Sequence, residues 1–180
     1  MGIEGVKSTI FYRIILLKMK TILVDAWNTF VTEEWINAAL QELLDTYENT
    51  KIIVTNATID EQTNYGIVDM PYEVYSLSHK PNKTDPIYFE TLCAAKWLQY
   101  DDVLYVEHNP EAVKAAQWIG ITAYLYDWKE KDVAWVKEFL LSSIDHEIDD
   151  EGVRETLIDF KKEWVSNEEF VSYLEKLNAE

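Results

Sequence analysis

Short apolar runs alternate along this chain with apolar stripes at helical spacing. Ile22, Leu23 and Val24 lead into Asp25, and Lys51 to Thr55 repeats the design with Ile52, Ile53 and Val54 before Thr55. Runs of this kind, closed by a polar residue, read as strands buried on both faces. Tyr72 to Ser76 makes a third strand, Val103 to Val106 a fourth that ends at Glu107, His108 and Asn109, and Ile121 to Tyr126 a fifth. Between the first two strands, Ile36, Ala39, Leu40, Leu43, Leu44 and Tyr47 fall at offsets 0, 3, 4, 7, 8 and 11. That stripe predicts a helix, with Thr32 as N-cap and Glu33 and Glu34 in its first turn. A short helix is expected over Asp60 to Tyr65, and another opens at Asp85 and Pro86 and runs to about Leu98. Pro110 opens a helix through Ile119 that Gly120 stops, and Val133, Val136, Phe139 and Leu140 mark one more. Strand and helix in alternation predict an α/β fold: a doubly wound parallel sheet of about five strands with helices on both faces.

Beyond Ser142 the pattern changes. Asp145, Glu147, Asp149, Asp150 and Glu151 read as a solvated acidic linker, followed by helices over Val153 to Trp164 and Asn167 to Leu177. Ser166 and Glu169 have capping-box spacing for the second, and Phe170, Leu174 and Leu177 give it an apolar face that needs a partner. The partner is either the domain body or another chain, which would make a homo-oligomer. The expected organisation is an N-terminal extension at 1–18 with no assigned role, a core domain at 19–143, and the linker with a C-terminal helical extension at 144–180.

Composition narrows the function classes. The 180 residues are 48% hydrophobic, with seven Trp and eleven Tyr, enough for one sizeable core. A formal net charge of -17 argues against nucleic acid or an anionic membrane as partner, although a local lysine or helix N-terminus still admits a small anion. The single cysteine, Cys93, excludes an internal disulfide and suits a reducing, cytoplasmic setting. It falls in an aromatic-rich helical pattern with Phe89 and Trp97, which points to core packing. Ile10 to Leu17 is interrupted by Arg13 and reads as neither signal peptide nor membrane span.

The polar strand ends carry the candidate chemistry. In open parallel sheets ligands bind at the carboxyl edge, so adjacency of the first, second and fourth strands would gather Asp25, Thr55 and the Glu107 to Asn109 cluster. Four ordered motifs sit on this frame. Asp25-Ala-Trp-Asn-Thr29 closes the first strand and Thr55 the second. Lys83-Thr-Asp-Pro-Ile-Tyr-Phe89 precedes a helix, and Glu107-His-Asn-Pro-Glu-Ala-Val-Lys-Ala-Ala116 precedes Gly120. This series resembles the haloacid dehalogenase superfamily over about residues 20 to 126, specifically its uncapped phosphatases, with two departures. Trp27 stands at the general-acid aspartate, and His108 and Ala112 stand at the two metal-binding aspartates of the fourth motif.

The resemblance implies a Rossmann-like core and a set of roles. Asp25 would be the nucleophile that forms an aspartyl-phosphate, Thr55 a donor to phosphoryl oxygens and Lys83 the fixed positive charge. Trp27, Asn28 and Asn56 would contact substrate. A Mg²⁺ would be held by Asp25, the main-chain carbonyl of Trp27, and Glu107 or Glu111. His108 is a softer ligand, poorly suited to Mg²⁺. Trp27 has no titratable proton, which removes leaving-group protonation worth roughly 10²- to 10⁴-fold and favours good leaving groups. The spacings leave no room for a cap insertion. An open site suits either a small phosphorylated molecule or a phosphorylated macromolecule. Two other readings follow from the same residues: a degenerate member that binds without turnover, and dehalogenase-like chemistry, in which an aromatic residue also occupies the place of Trp27. His79 and His146 are expected at the surface.

Overall fold

The computed structural model describes residues 20–145 of the chain. The expectations for 1–18, for His146 and for the helices after Val153 lie outside the described residues. Five parallel strands form the sheet: β1 (Thr21–Asp25), β4 (Lys51–Thr55), β5 (Glu73–Ser76), β6 (Val103–Glu107) and β7 (Thr122–Leu125), in the order β5-β4-β1-β6-β7. A small hairpin, β2 (Val31–Thr32) with β3 (Trp35–Ile36), follows β1. The helices are α1 (Ala38–Asp45), α2 (Ile59–Asn64), α3 (Pro86–Lys96), α4 (Pro110–Trp118) and α5 (Val133–Asp145). Among the described residues no helix is long and apolar enough to cross a membrane.

The apolar runs are central strands because both of their faces are covered. Ile22, Val24, Ile53, Leu104 and Val106 join Leu40 and Leu44 of α1 and Val136 and Leu140 of α5 in one buried cluster. Leu23, Ile52, Val54, Val103 and Tyr105 join Tyr88, Phe89, Leu92 and Cys93 of α3 and Ala115 and Ala116 of α4 in the other. Alternation along a strand assigns each residue to one of these faces. Cys93 is a core residue as expected, and burial pushes its thiol up to about 11, which removes thiolate reactivity.

Three local expectations are corrected. The first helix starts at Ala38, capped by the Asn37 side chain, which accepts from Leu40 N at 3.3 Å. Thr32 instead closes a turn, donating to Trp35 O and accepting from Glu34 N at 3.1 and 3.2 Å. Ile36 matched the helical stripe by spacing alone and pairs with Val31 in the hairpin. Trp97, grouped with Phe89 and Cys93 on sequence, ends α3 in the left-handed region and is 93% exposed.

Turn chemistry follows the sequence elsewhere. Asp85 and Asn109 cap α3 and α4, each ahead of a proline, and Thr58 forms a capping box with Glu61 for α2. Gly120 stops α4 with φ 96°, open to glycine at no steric cost. Gly66 (φ 68°) also meets the hairpin, and a Cβ there would come within 3.3 Å of the Trp35 ring.

Leu104 is fully buried at the middle of the sheet, whereas Trp97 faces solvent. Leu104→Ala is therefore expected to cost ~2–5 kcal/mol in urea denaturation, and Trp97→Ala less than ~0.5 kcal/mol despite removing the larger side chain.

Candidate functional site

Strand register brings the polar strand ends level. Asp25 pairs with Val54 of β4, and Val24 with Val106 of β6, so Glu107 lies opposite Asp25 and Thr55 one residue further on. Asp25 and Glu107 have the parity of Leu23 and Tyr105, which face α3 and α4. Lys83, three residues ahead of α3, reaches the same face. Its backbone N–H is fixed by Asn56 Oδ1 at 2.8 Å, and Asn56 Nδ2 donates to Asn82 Oδ1 at 3.1 Å.

A dense polar cluster results. Lys83 Nζ donates to Asp25 Oδ1 and, at 2.8 Å, to Glu107 Oε2. Asp25 Oδ2 accepts from Thr29 Oγ1 at 3.0 Å and lies 2.7 Å from His108 Nδ1, which is 3.1 Å from Glu107 Oε1. Glu107 also accepts from the Tyr105 hydroxyl and, at 2.8 Å, from Asn109 N. Asp25, Lys83 and Glu107 are 3%, 6% and 0% exposed, so the charges interact in a poorly screened environment.

The cluster shifts its own titrations. Burial pushes the Glu107 carboxyl up, but the ammonium of Lys83 and hydrogen bonds from His108, Lys83 and Tyr105 outweigh it and hold the group down at about 2. Burial works against the charged form of Lys83 too, and its two carboxylate partners reverse that and raise it. His108 loses by burial and gains more from Asp25 and Glu107, which lift it to about 9. Tyr105 is pushed well above the ordinary phenol range, by burial first and then by the neighbouring carboxylates.

Asp25, Lys83, Glu107 and His108 line a cavity of about 280 Å³ together with Trp27, Thr55 and Asn56. Thr55 Oγ1 accepts from Ala57 N at 3.1 Å, and the hydroxyl still has its own proton to give. The Trp27 ring packs 5.3 Å from Tyr65 and also lines a second cavity of about 430 Å³, with Asn28, Tyr126 and Trp128. Of the expected site residues, Asp25, Trp27, Thr55, Asn56, Lys83 and Glu107 border one cavity, and Asn28 borders the other. Glu111 is corrected: it is exposed and pairs with Lys114 at 2.9 Å, because it sits in the first turn of α4, past Asn109. His79 is exposed as expected, yet it lies at the cavity rim, paired with Glu61 at 2.8 Å. Tyr105 was missed, although its position two residues before Glu107 on one strand was the available signal.

One oxygen each from Asp25 and Glu107 and one nitrogen of His108 lie within 4.8 Å of one another, a donor set with room for one metal ion. Their chemistry fits a divalent cation, with two hard oxygens and one borderline nitrogen.

No protein-family model and no curated protein matches the chain. Solved structures do. It is similar to a haloacid dehalogenase family enzyme of Bacteroides thetaiotaomicron, an aspartate-to-alanine variant in complex with magnesium and inorganic phosphate. That match has TM-score 0.51 and 12% identity, over 62% of this chain and 98% of that one. It is also similar to an uncharacterized protein of Corynebacterium glutamicum, with TM-score 0.46 and 18% identity over 67% and 94% of the two chains. The first likeness shows the fold: this chain has the haloacid dehalogenase-like architecture, a five-stranded parallel α/β sheet.

The titrations set a pH profile for stability without metal. Glu107 falls from its ordinary 4.5 to about 2 on folding, so its contribution is present above 4.5 and is lost as pH drops toward 2. His108 rises from 6.5 to about 9, so its contribution is complete below 6.5 and is lost as pH climbs through 9. Chemical denaturation in EDTA is expected to place the maximum from these two groups between pH 4.5 and 6.5. Glu107→Gln should flatten the acid limb and His108→Asn the alkaline one.

Proposed function

We propose that the protein is a phosphohydrolase of the haloacid dehalogenase type, with Asp25 as nucleophile. The convergence of Asp25, Thr55 and Lys83 on one cavity at the carboxyl edge of the sheet carries this reading. An Asp25 carboxylate oxygen attacks phosphorus and the bond from phosphorus to the leaving oxygen breaks. The leaving group departs with the bonding pair and takes its proton from solvent, since Trp27 has none to give. Water then attacks the aspartyl-phosphate, which releases inorganic phosphate and restores Asp25. Lys83, locked against Asp25, offsets phosphoryl charge, and Thr55 donates to a phosphoryl oxygen. Asp25, Glu107 and His108 would hold a divalent cation, which when bound neutralises charge on the phosphoryl oxygens.

Substrates with acidic leaving groups fit best, because protonation of the departing oxygen is unassisted. Residues 26–50 hold only the hairpin and α1, and residues 56–82 only α2 and β5, so neither segment carries an inserted domain over the cavity. That openness supports a phosphorylated small molecule or the phosphorylated tip of a macromolecule. Trp27 also favours a second reading, a binding protein that recognises phosphate and does not turn it over.

Hydrolysis of an activated aryl phosphate decides between the two. The parent with a divalent cation is expected to turn over, Asp25→Asn to lose at least ~10³-fold, and Thr55→Ala to lose ~10–10²-fold in kcat/KM. Equal background rates in parent and Asp25→Asn, with phosphate still stabilising the parent against heat, would establish the binding protein instead.

A further inference from the structure

We propose that the ion this site selects is a borderline transition-metal dication, of the Co²⁺ and Zn²⁺ kind, in preference to Mg²⁺. The inference rests on the metal-dependent reading of the Asp25 edge, though not on turnover. It starts from where the structure puts the two residues that might have completed an all-oxygen set. Glu111 is exposed and tied to Lys114, and Ala112, fully buried one residue on, ends at Cβ. Among the side chains, the third donor is therefore an imidazole nitrogen, His108 Nδ1.

That nitrogen stands between the two carboxylates and makes an ion-pair contact with each. It lies 2.7 Å from Asp25 Oδ2 and 3.1 Å from Glu107 Oε1. Two neighbouring ligands on an ion with bonds of ~2.1 Å stand ~3 Å apart, so the donors are close enough to share one dication that displaces the imidazole proton. The supports around the donors are in place as well. Glu107 Oε2 is held by Lys83 and Tyr105, Oε1 accepts from Asn109 N at 2.8 Å and faces His108, and Thr29 Oγ1 steadies Asp25 Oδ2. Such partners orient ligands and tune their affinity.

Donor chemistry then sets the choice of ion. Mg²⁺ demands near-octahedral oxygen ligation and sheds water reluctantly, and it gains little from imidazole. Imidazole nitrogen suits Zn²⁺ and its neighbours, and three protein donors with an open position are the usual catalytic arrangement for zinc. Lys83 stays paired with both carboxylates, so the local charge is suited to one dication and one phosphoryl group.

The test uses the EDTA-stripped full chain and titrates Co²⁺ and Mg²⁺ by calorimetry, without substrate. Wild type should prefer Co²⁺ by at least ~100-fold. Even oxygen-only sites favour Co²⁺ somewhat, so the decisive quantity is the change in that ratio on His108→Asp, expected to be a fall of at least ~10-fold. Pulsed EPR of the Mn²⁺-loaded wild type needs no variant and should show coupling to an imidazole ¹⁴N, which His108→Asp abolishes. Mg²⁺ binding as tight as Co²⁺, an unchanged ratio in His108→Asp, Mn²⁺ with no nitrogen coupling, or no dication binding would each overturn the proposal. Tight, nitrogen-ligated metal without hydrolysis of the aryl phosphate would sink the phosphatase reading alone. Hydrolysis of the aryl phosphate with a Co²⁺ to Mg²⁺ ratio unchanged in His108→Asp would sink this one alone.

Discussion

An ammonium group buried between two carboxylates is the constraint around which this domain is arranged. Lys83 touches both Asp25 and Glu107, and none of the three has a tenth of its surface in water. Desolvating such a cluster costs about as much as its internal attraction returns, so it is a poor device for stability. The two apolar layers on either face of the sheet supply the stability, and they hold the three charged groups where water alone would scatter them. Removing any one member would leave uncompensated charge in a poorly screened place. Perturbed titrating groups at the carboxyl edge of a parallel sheet are characteristic of sites that do chemistry.

The remaining site geometry follows from that cluster. With Lys83 fixed by Asn56, the loop before α3 is pinned to the end of β4, and Thr55 stands beside Asp25 across one strand pair. Glu107 links three elements: its own strand through Tyr105, the α4 cap through Asn109, and the loop of Lys83. It is therefore both a partner of the α4 cap and a member of the donor cluster. His108, next along the chain, is turned by the strand end toward Asp25, and its imidazole stands between the two carboxylates.

Much of this was legible from local rules. Apolar runs bounded by polar residues located the three central strands β1, β4 and β6, because a strand covered on both faces has little reason to carry anything else, whereas the edge strands β5 and β7 are half-exposed. Asp85-Pro86 and Asn109-Pro110 located two helix starts through capping chemistry that depends only on neighbours. Thr32 and Ile36 misled for the same reason: a three-four spacing cannot tell a helix from a hairpin that happens to return an apolar residue. Trp97 misled because the αL geometry that ends α3 rotates it out of the apolar stripe into solvent.

The sequence by itself determined the alternation of strands and helices and the polar residue that each central strand carries to its end. It also determined the ordered motifs, since these are properties of neighbours along the chain. Only the tertiary structure decided the strand order β5-β4-β1-β6-β7, the level of Glu107 with Asp25, and the placement of His108, rather than Glu111, beside these two carboxylates. Those depend on register and on the faces that helices cover, which are long-range packing outcomes. Tyr105 makes the difference plain. As a letter it is one aromatic among many in a buried strand, and it becomes a partner of Glu107 because a pleated strand returns every second side chain to the same face.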